Sequence, residues 1–307
     1  MKNNPMVSVF VSCYNNTEYL NECLDSILSQ TYGNIEIIVS DDGSPNFDSD
    51  AILGYIENNK GTNITNVVVR QNECNAGTVK HCNIILDLYK GDYLLFLACD
   101  DTFNNVNVVK DLVDCFNTSP PEVMGIVTQV EMRTKDLNTL IEFAVSEDTK
   151  RLMNELSPYE FYRKHLVLAP IVFTRIYKRE AFEKYGKFDE EYFLIEDYTV
   201  SLSHARQGMK TYFLDIVAVN HRDGGISHSK VSKNSRAHKL YTIDLIKVYE
   251  YSLKDWLLDA KVQKKIMDNL DWCVRQFSLV WGDDYPDYLL DSYNLATYVS
   301  NYWDTIY

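Results

Sequence analysis

Tyr93-Leu94-Leu95-Phe96-Leu97-Ala98-Cys99-Asp100-Asp101 is a strongly apolar run closed by two adjacent carboxylates. Its unbroken apolar character reads as a strand buried on both faces. Neighbouring carboxylates at the end of such a strand repel each other and resist leaving water, unless something offsets both effects. A divalent cation carrying a bound phosphate does so. The end of this strand is therefore a candidate active site.

Outward from this run, strand-like and helix-like patterns alternate. Residues 7–11 are rich in β-branched types, and after Asn15-Asn16-Thr17 the apolar residues Leu20, Cys23, Leu24, Ile27 and Leu28 recur at helical spacing, with Asn16 or Thr17 as N-cap. Residues 35–39 form a second strand that ends at Ser40-Asp41-Asp42-Gly43-Ser44; 67–69 form a third, 78–89 a helix and 93–99 a fourth strand. Parallel strands need crossovers, and helical crossovers cover the sheet faces, so the pattern predicts an α/β fold with a mostly parallel sheet flanked by helices. Ligands of such sheets lie beyond the carboxyl ends of the strands. Ser12-Cys13-Tyr14-Asn15, Asp41-Asp42, the stretch 72–77 and Asp100-Asp101 each follow one of the four strands. Any one of these clusters is ordinary turn chemistry. Together they point to one crevice.

The chain has 307 residues, enough for one large α/β domain or a catalytic domain with an appendage. Its 46% hydrophobic and 24% charged residues are those of an ordinary globule. The net charge of −14 disfavours nucleic acid and anionic lipid as nonspecific partners. An anionic ligand must be held by local positive groups or a metal. Seven cysteines without C-x-x-C spacing suggest neither a disulfide framework nor a zinc site. Met1-Lys2-Asn3-Asn4-Pro5 opens no signal-peptide pattern, and no apolar segment approaches the roughly 20 residues that span a bilayer. The expected location is the cytoplasm.

Further on, 124–133 and 171–177 read as strands, 158–165 as a helix start, and Phe188-Asp189-Glu190-Glu191-Tyr192-Phe193-Leu194-Ile195-Glu196-Asp197-Tyr198-Thr199 leads into a helix that stops near Gly208, with a last strand over 210–219. Lys230, Lys233, Arg236 and Lys239 make 229–239 a basic stretch, read as a solvated linker or as a lid over phosphates. Ile246, Tyr249, Leu253, Trp256 and Leu257 then form one helical stripe, and Ile266, Leu270, Cys273, Val274, Phe277 and Trp281 a second that ends at Gly282. Such stripes are core contacts first. A peripheral membrane contact is the alternative, and the mixed flanking charges do not favour it.

Val7-Ser8-Val9-Phe10-Val11-Ser12-Cys13-Tyr14-Asn15, Leu24-Asp25-Ser26-Ile27-Leu28-Ser29-Gln30-Thr31-Tyr32, Glu36-Ile37-Ile38-Val39-Ser40-Asp41-Asp42-Gly43-Ser44, Asn75-Ala76-Gly77, Gly91-Asp92-Tyr93 and the Asp100-Asp101 pair together resemble the family 2 glycosyltransferases of the GT-A fold. The resemblance is dense over the first third of the chain, sparser over 188–208, and ends near residue 229. It implies a Rossmann-like GT-A catalytic domain over 1–228, with a nucleotide-binding half over 1–101 and an acceptor half over 102–228, followed by the basic linker and C-terminal helices over 229–307. The implied activity is inverting transfer of a hexosyl or N-acetylhexosaminyl group from a nucleotide sugar, preferably a UDP-sugar, to a hydroxyl of a glycan or lipid-linked saccharide. Mn²⁺ or Mg²⁺ is the implied cofactor. By family analogy alone the setting is bacterial surface polysaccharide synthesis at the inner membrane face.

Carried onto this sequence, the resemblance sets Ser12, Tyr14 and Asn15 along the nucleotide and has Asp42 accept a hydrogen bond from the base. Asn75 and Lys80 flank the donor, with Lys80 toward a phosphate. Asp100 falls near the ribose and metal, and Asp101 on the cation itself. Many members carry a further Asp two positions before the residue matching Asp100, where this chain has Ala98. Asp197 matches the general base, and His221, in a segment loosely similar to a Tyr-Arg-x-His type, is a candidate contact to metal or diphosphate. Plainer readings stand beside these. Asp197 could complement its helix dipole, worth about 0.3–1 kcal/mol, and His221 could be an ordinary structural histidine.

The chemistry explains why such residues are needed. A departing diphosphate gathers negative charge, which a hard cation on oxygen ligands neutralises, and an alcohol is a poor nucleophile until a carboxylate accepts its proton. A sugar nucleotidyltransferase is one alternative, but 12–17 lacks the Gly, Lys and Arg of a phosphate loop. A non-catalytic nucleotide-sugar-binding partner of another transferase is the other. Ala98 favours that reading, and Asp100, Asp101 and Asp197 speak against it.

Overall fold

The computed structural model describes residues 4–168, 175–224, 236–255 and 258–281. Four parallel strands build its first part: β1 (Val7–Cys13), β2 (Ile35–Asp41), β3 (Ile64–Gln71) and β4 (Tyr93–Ala98). Every residue of β2 is buried, as its Ile and Val content predicts for a strand covered on both faces. Pairing is level at the carboxyl ends: Ser12 faces both Ser40 and Ala98, and Cys13 faces Asp41. The polar residues that follow these strands consequently emerge at one edge. The chain also runs outward from β1 through β2 to β3 and returns as β4 on the other side of β1. That reversal between β1 and β4 is the kind of switch point beyond whose strand ends parallel sheets bind ligands.

The crossovers are α1 (Leu20–Leu28), α2 (Ser49–Asn59) and α3 (Thr78–Leu86). α1 buries Leu20, Cys23, Leu24 and Ile27, the face its periodicity predicts. Its start differs from expectation. The N-cap position is Tyr19, which makes no side-chain cap; Asn16 lies ahead of the helix, where its Oδ1 accepts the Glu18 amide at 3.4 Å and its Nδ2 donates to Asp100 at 3.2 Å. Asp48 caps α2 by accepting from the Ala51 amide, and Ile56 is the one fully buried residue of that helix, which explains its faint periodicity.

The second half consists of β5 (Thr102–Phe103), α4 (Val108–Thr118), β6 (Val123–Arg133), β7 (Leu140–Phe143), α5 (Glu147–Glu155), α6 (Pro158–Leu168), β8 (Arg175–Lys178), α7 (Arg179–Tyr185), α8 (Glu196–Arg206) and β9 (Lys210–Arg222). Among the described residues the strand order is β3-β2-β1-β4-β8-β6-β9-β5, with β7 on β6. The sheet is mixed. β8 lies antiparallel between β4 and β6, β5 and β7 are antiparallel to β9 and β6, and β6 and β9 pair in parallel. Of the strand expected at 171–177, residues 171–174 lie outside the described residues, as do 229–235 of the basic stretch, Trp256, Leu257 and Gly282.

Two C-terminal helices, α9 (Arg236–Leu253) and α10 (Ala260–Trp281), complete the description. Ile246, Tyr249, Ile266, Leu270, Cys273, Val274 and Phe277 are buried in one apolar cluster with Leu166 of α6, Leu202 of α8 and Phe213 of β9. Leu253 packs against the same cluster, so the described side chains of the stripes read from the sequence are core contacts. Among the described residues no helix is long and apolar enough to cross a membrane. All seven cysteines are free thiols.

At the opposite end of the sheet, the buried Glu36 accepts from Asn66 Nδ2 at 2.6 Å, from the Lys90 amide at 2.8 Å and from the Ser8 hydroxyl. Gly91 donates its amide to Ser8 Oγ at 2.9 Å, and a Cβ there would stand 2.6 Å from the Ser8 amide nitrogen and from the Tyr93 carbonyl oxygen. Gly91→Ala is expected to lower the stability measured by urea denaturation by about 1–3 kcal/mol, the usual cost of overpacking. An unchanged midpoint would contradict this close approach.

Candidate active site

The loop after β1 is built on the turn after β2. Asp41, fully buried, accepts from the Ser44 amide at 2.6 Å, from Ser44 Oγ at 2.5 Å and from Gln71 Nε2 at 3.1 Å. Ser44 Oγ in turn receives the Asn15 amide at 2.7 Å, holding Asn15 in the left-handed region at φ 51°. Ser12 is half-buried at the strand end, and Tyr14 is 41% exposed.

Asp42 organises the loop 72–77. Its Oδ1 accepts from Asn72 Nδ2 at 2.7 Å and from the Ala76 amide at 2.9 Å; its Oδ2 accepts from the Gly77 amide at 3.0 Å. A carboxylate has about four acceptor positions, so three are already committed. Two glycines allow the approach: Gly43 at φ +84° would place a Cβ 2.6 Å from the Cys74 backbone, and Gly77 at φ +87° one 2.7 Å from the Phe193 ring. Behind the loop, Arg70 donates to Asn72 Oδ1 at 2.6 Å and to Ser40 Oγ at 2.8 Å, and that hydroxyl meets His81 Nε2 at 2.7 Å. Burial holds His81 below its ordinary pKa, which favours the neutral ring. Asn75 and Lys80 are exposed, on the loop and in the first turn of α3.

Asp100 and Asp101 close β4, and β9 completes their surroundings. Asp100 is half-buried, and burial first, then the charge of Asp101, holds its carboxyl above the usual range. Asp101 is buried, with Oδ2 at 2.8 Å from His221 Nδ1 and Oδ1 accepting the Arg222 amide at 3.0 Å. Burial alone would push the His221 imidazole down. Its bond to Asp101 and the charges of Asp101, Asp100 and Asp223 outweigh this and hold it above its ordinary value. The Arg222 side chain is 3% exposed and donates to the Asp100 carbonyl at 2.8 Å, the Lys135 carbonyl at 2.5 Å and Glu22 at 2.8 Å, with its guanidinium 3.7 Å from the Tyr19 ring centre.

Among the described residues no group of three or more His, Cys, Asp or Glu side chains is gathered as a complete cation site. The strand end offers two adjacent carboxylates, with an imidazole beside one of them. Hard oxygen donors of this kind suit Mg²⁺ or Mn²⁺, which fill their remaining positions with water and phosphate. Burial first, and then the repulsion of Asp101, raises Asp100, and a cation relieves that repulsion. The donor chemistry fits.

Asp197 lies half-buried in the first turn of α8 and accepts the Tyr198 amide at 2.6 Å. The segment before it packs on the 72–80 region: the Val79 amide donates to the Phe193 carbonyl at 3.3 Å, and the Phe193 ring covers Gly77. The buried Cys82 thiol of α3 is pushed up by burial and then by the charges of Glu196, Asp197 and Asp42, so these carboxylates bear on one stretch of α3. Asp244 of α9 reaches the same segment, with its Oδ2 accepting the amides of Phe193, Leu194 and Ile195. Hydrogen bonds therefore link 12–16, 41–44, 72–77, 100–101 and 221–222 into one rim, with 193–197 packed against its 72–80 side. Arg70, His81, Arg222 and Asp244 were not among the residues predicted for the site, and Asn72 was named only within the stretch 72–77. Arg222 had one signal, its place beside His221 at the end of an apolar strand.

The model of glycosyl transferase family 2 matches residues 8–186. An uncharacterized glycosyltransferase of Haemophilus influenzae is 37% identical over 101 residues, 33% of this chain and 30% of its own length. One of Rickettsia prowazekii is 28% identical over 194 residues, 63% of this chain and 57% of its own, and EpsJ of Bacillus subtilis, also an uncharacterized glycosyltransferase, is 24% identical over 212 residues, 69% and 59%. The chain thus spans less than two thirds of the length of each of these relatives. Among solved structures, S. aureus TarS 1-349 superposes with a TM-score of 0.61 at 19% identity, covering 95% of this chain and 78% of that one. PcManGT of Pyrobaculum calidifontis, a mannosyltransferase in complex with GDP-Man and Mn²⁺, gives 0.59 at 16% identity, covering 97% and 81%. At these identities the likeness is one of fold: GT-A. The family match runs from β1 through α7, more than half of the chain, and takes in the four parallel strand ends of the rim; the chain belongs to glycosyl transferase family 2.

Proposed function

We propose that the protein is an inverting glycosyltransferase that moves a hexosyl or N-acetylhexosaminyl group from a UDP-sugar to a hydroxyl of a glycan or lipid-linked saccharide. The observation that carries the reading is the Asp100-Asp101 pair at the carboxyl end of β4, held by His221 and Arg222 of β9. Fold neighbours add support: TarS in complexes with UDP and with UDP-GlcNAc, and PcManGT with GDP-Man and Mn²⁺. On this reading residues 1–101 form the donor half and 102–228 the acceptor half. Surface polysaccharide synthesis on the cytoplasmic side of the membrane is the setting we infer.

Asp101, Asp100 and His221 would hold a Mn²⁺ or Mg²⁺ ion, which when bound neutralises charge on the departing diphosphate. The protein's own residues do the rest. Ser12, Tyr14 and Asn15 line the nucleotide. Asp42 has one acceptor position left for the base while its other bonds shape the 72–77 loop, and Asn75 and Lys80 flank the donor. In a chain of net charge −14, Lys80 is a local cation placed to attract a diphosphate. Asp197 takes the proton of the acceptor hydroxyl as that oxygen bonds the anomeric carbon and the bond from that carbon to the diphosphate oxygen breaks. With base and leaving group on opposite faces of the sugar, the anomeric centre inverts.

A thermal-shift screen of nucleotide sugars with Mn²⁺ should show UDP-sugars raising Tm, since a ligand at 100 times its Kd adds about 2.7 kcal/mol to the folded state. No shift with any uridine nucleotide would contradict the donor reading. Asp197→Asn should abolish sugar transfer from radiolabelled donor yet bind UDP normally by calorimetry; full transfer would refute its role as base. Asp101→Ala should weaken Mn²⁺-dependent UDP binding by roughly tenfold or more. Unaltered affinity would remove it from the metal site.

A further inference from the structure

α8 starts without a cap of its own. Its N-cap position is Ile195, whose apolar side chain satisfies none of the amides left over at a helix start. The amides that lead into the helix find their acceptor on α9, 49 residues further on: Asp244, 1% exposed, takes those of Phe193 at 2.9 Å, Leu194 at 2.7 Å and Ile195 at 3.4 Å on a single oxygen. Charge-assisted bonds of this kind are roughly twice as strong as neutral ones.

The same face of α9 makes further ties. Lys247 donates to the Glu191 carbonyl at 2.6 Å and Tyr251 to the Glu191 carboxylate at 2.5 Å. Residues 244, 247 and 251 are three and four apart, hence on one helix face. The first turn of α8 already carries Glu196 and Asp197. A neutral Asn or Ser would accept the 193–195 amides without bringing a third negative charge close to that turn. The arrangement accepts repulsion in return for stronger bonds to the backbone that carries Asp197.

We propose that Asp244 is a positioning residue for Asp197: by pinning three successive amides directly before α8, it sets where the Asp197 carboxylate stands, and α9 is thereby a working part of the active site. This inference rests on the reading of Asp197 as the base.

The test measures UDP release, with Mn²⁺ present and water as acceptor, from a mixture of UDP-glucose, UDP-galactose, UDP-GlcNAc and UDP-GalNAc. Wild type, Asp244→Ala, Asp244→Asn, Asp197→Asn and the Asp197→Asn/Asp244→Ala double variant are compared, with UDP affinity from calorimetry. Asp244→Ala should lose about 10²-fold in kcat, the scale of a small misplacement of a reacting group, with UDP affinity unchanged. Asp244→Asn, which keeps an acceptor oxygen, should recover most of the rate, and Asp244→Ala should cost nothing further once Asp197 is Asn. Wild-type kcat in Asp244→Ala, or a loss that multiplies in the double variant, would overturn the inference. Should Asp244→Ala not fold, Asp244→Glu keeps the charge and moves it by one methylene; a lowered kcat at unchanged UDP affinity supports positioning, and wild-type kcat overturns it. Failure of the underlying reading looks different: the wild type releases no UDP, or Asp197→Asn retains its full rate.

Discussion

The carboxyl edge of the sheet depends on the buried guanidinium of Arg222. A charge taken out of water is tolerable only when its donors are satisfied, and here they reach the Asp100 carbonyl, the Lys135 carbonyl and Glu22 while the planar group lies over Tyr19. The Arg222 amide adds a bond to Asp101. One residue of β9 thus ties the end of β4 to α1 and to the turn after β6. Asp100 and Asp101, which would otherwise repel each other at the end of a buried strand, stand where β9 holds them.

A second clamp works at the carboxyl ends of β2 and β3. Asp41 and Asp42 are consecutive but face different tasks: Asp41 closes its own turn, and Asp42 gathers the 72–77 loop. Arg70 and Asn72 then link that loop to Ser40 and His81. A ligand entering the crevice would meet a rim shaped before it arrives, which lowers the ordering cost of binding. The third clamp, Asp244 on the start of α8, joins the C-terminal helices to the same rim.

Much of this was legible in the sequence where the physics is local. β4 announces itself through an unbroken apolar run and β1 and β2 through their Val and Ile content, and the level register of parallel neighbours carries their polar ends to one edge, so the clusters holding Ser12, Asp42 and Asp100-Asp101 were locatable from strand ends alone. His221 was found by resemblance and meets Asp101. Contacts between distant segments left weaker traces. Arg222 acts on residues more than a hundred positions away, and Asp244 on a helix start 49 or more residues earlier. Short elements such as β5 and β7, and α2 with its single buried Ile56, lack enough apolar periodicity to be read. Asn16 was read as a helix cap, but the helix starts later, with Tyr19 as N-cap position, and the Asn16 side chain bridges the Glu18 amide to Asp100.

The central claim is that acidic side chains from separate segments converge on one cation and one nucleoside diphosphate. Anomalous diffraction at the manganese edge, from crystals grown with UDP and Mn²⁺, tests it most directly. The account predicts a single manganese peak at coordination distance from the Asp101 carboxylate, with the diphosphate on the same ion and the uracil ring between the 12–15 and 72–77 loops. Manganese and UDP bound away from Asp101, or UDP in the crevice with no manganese beside it, would contradict the account.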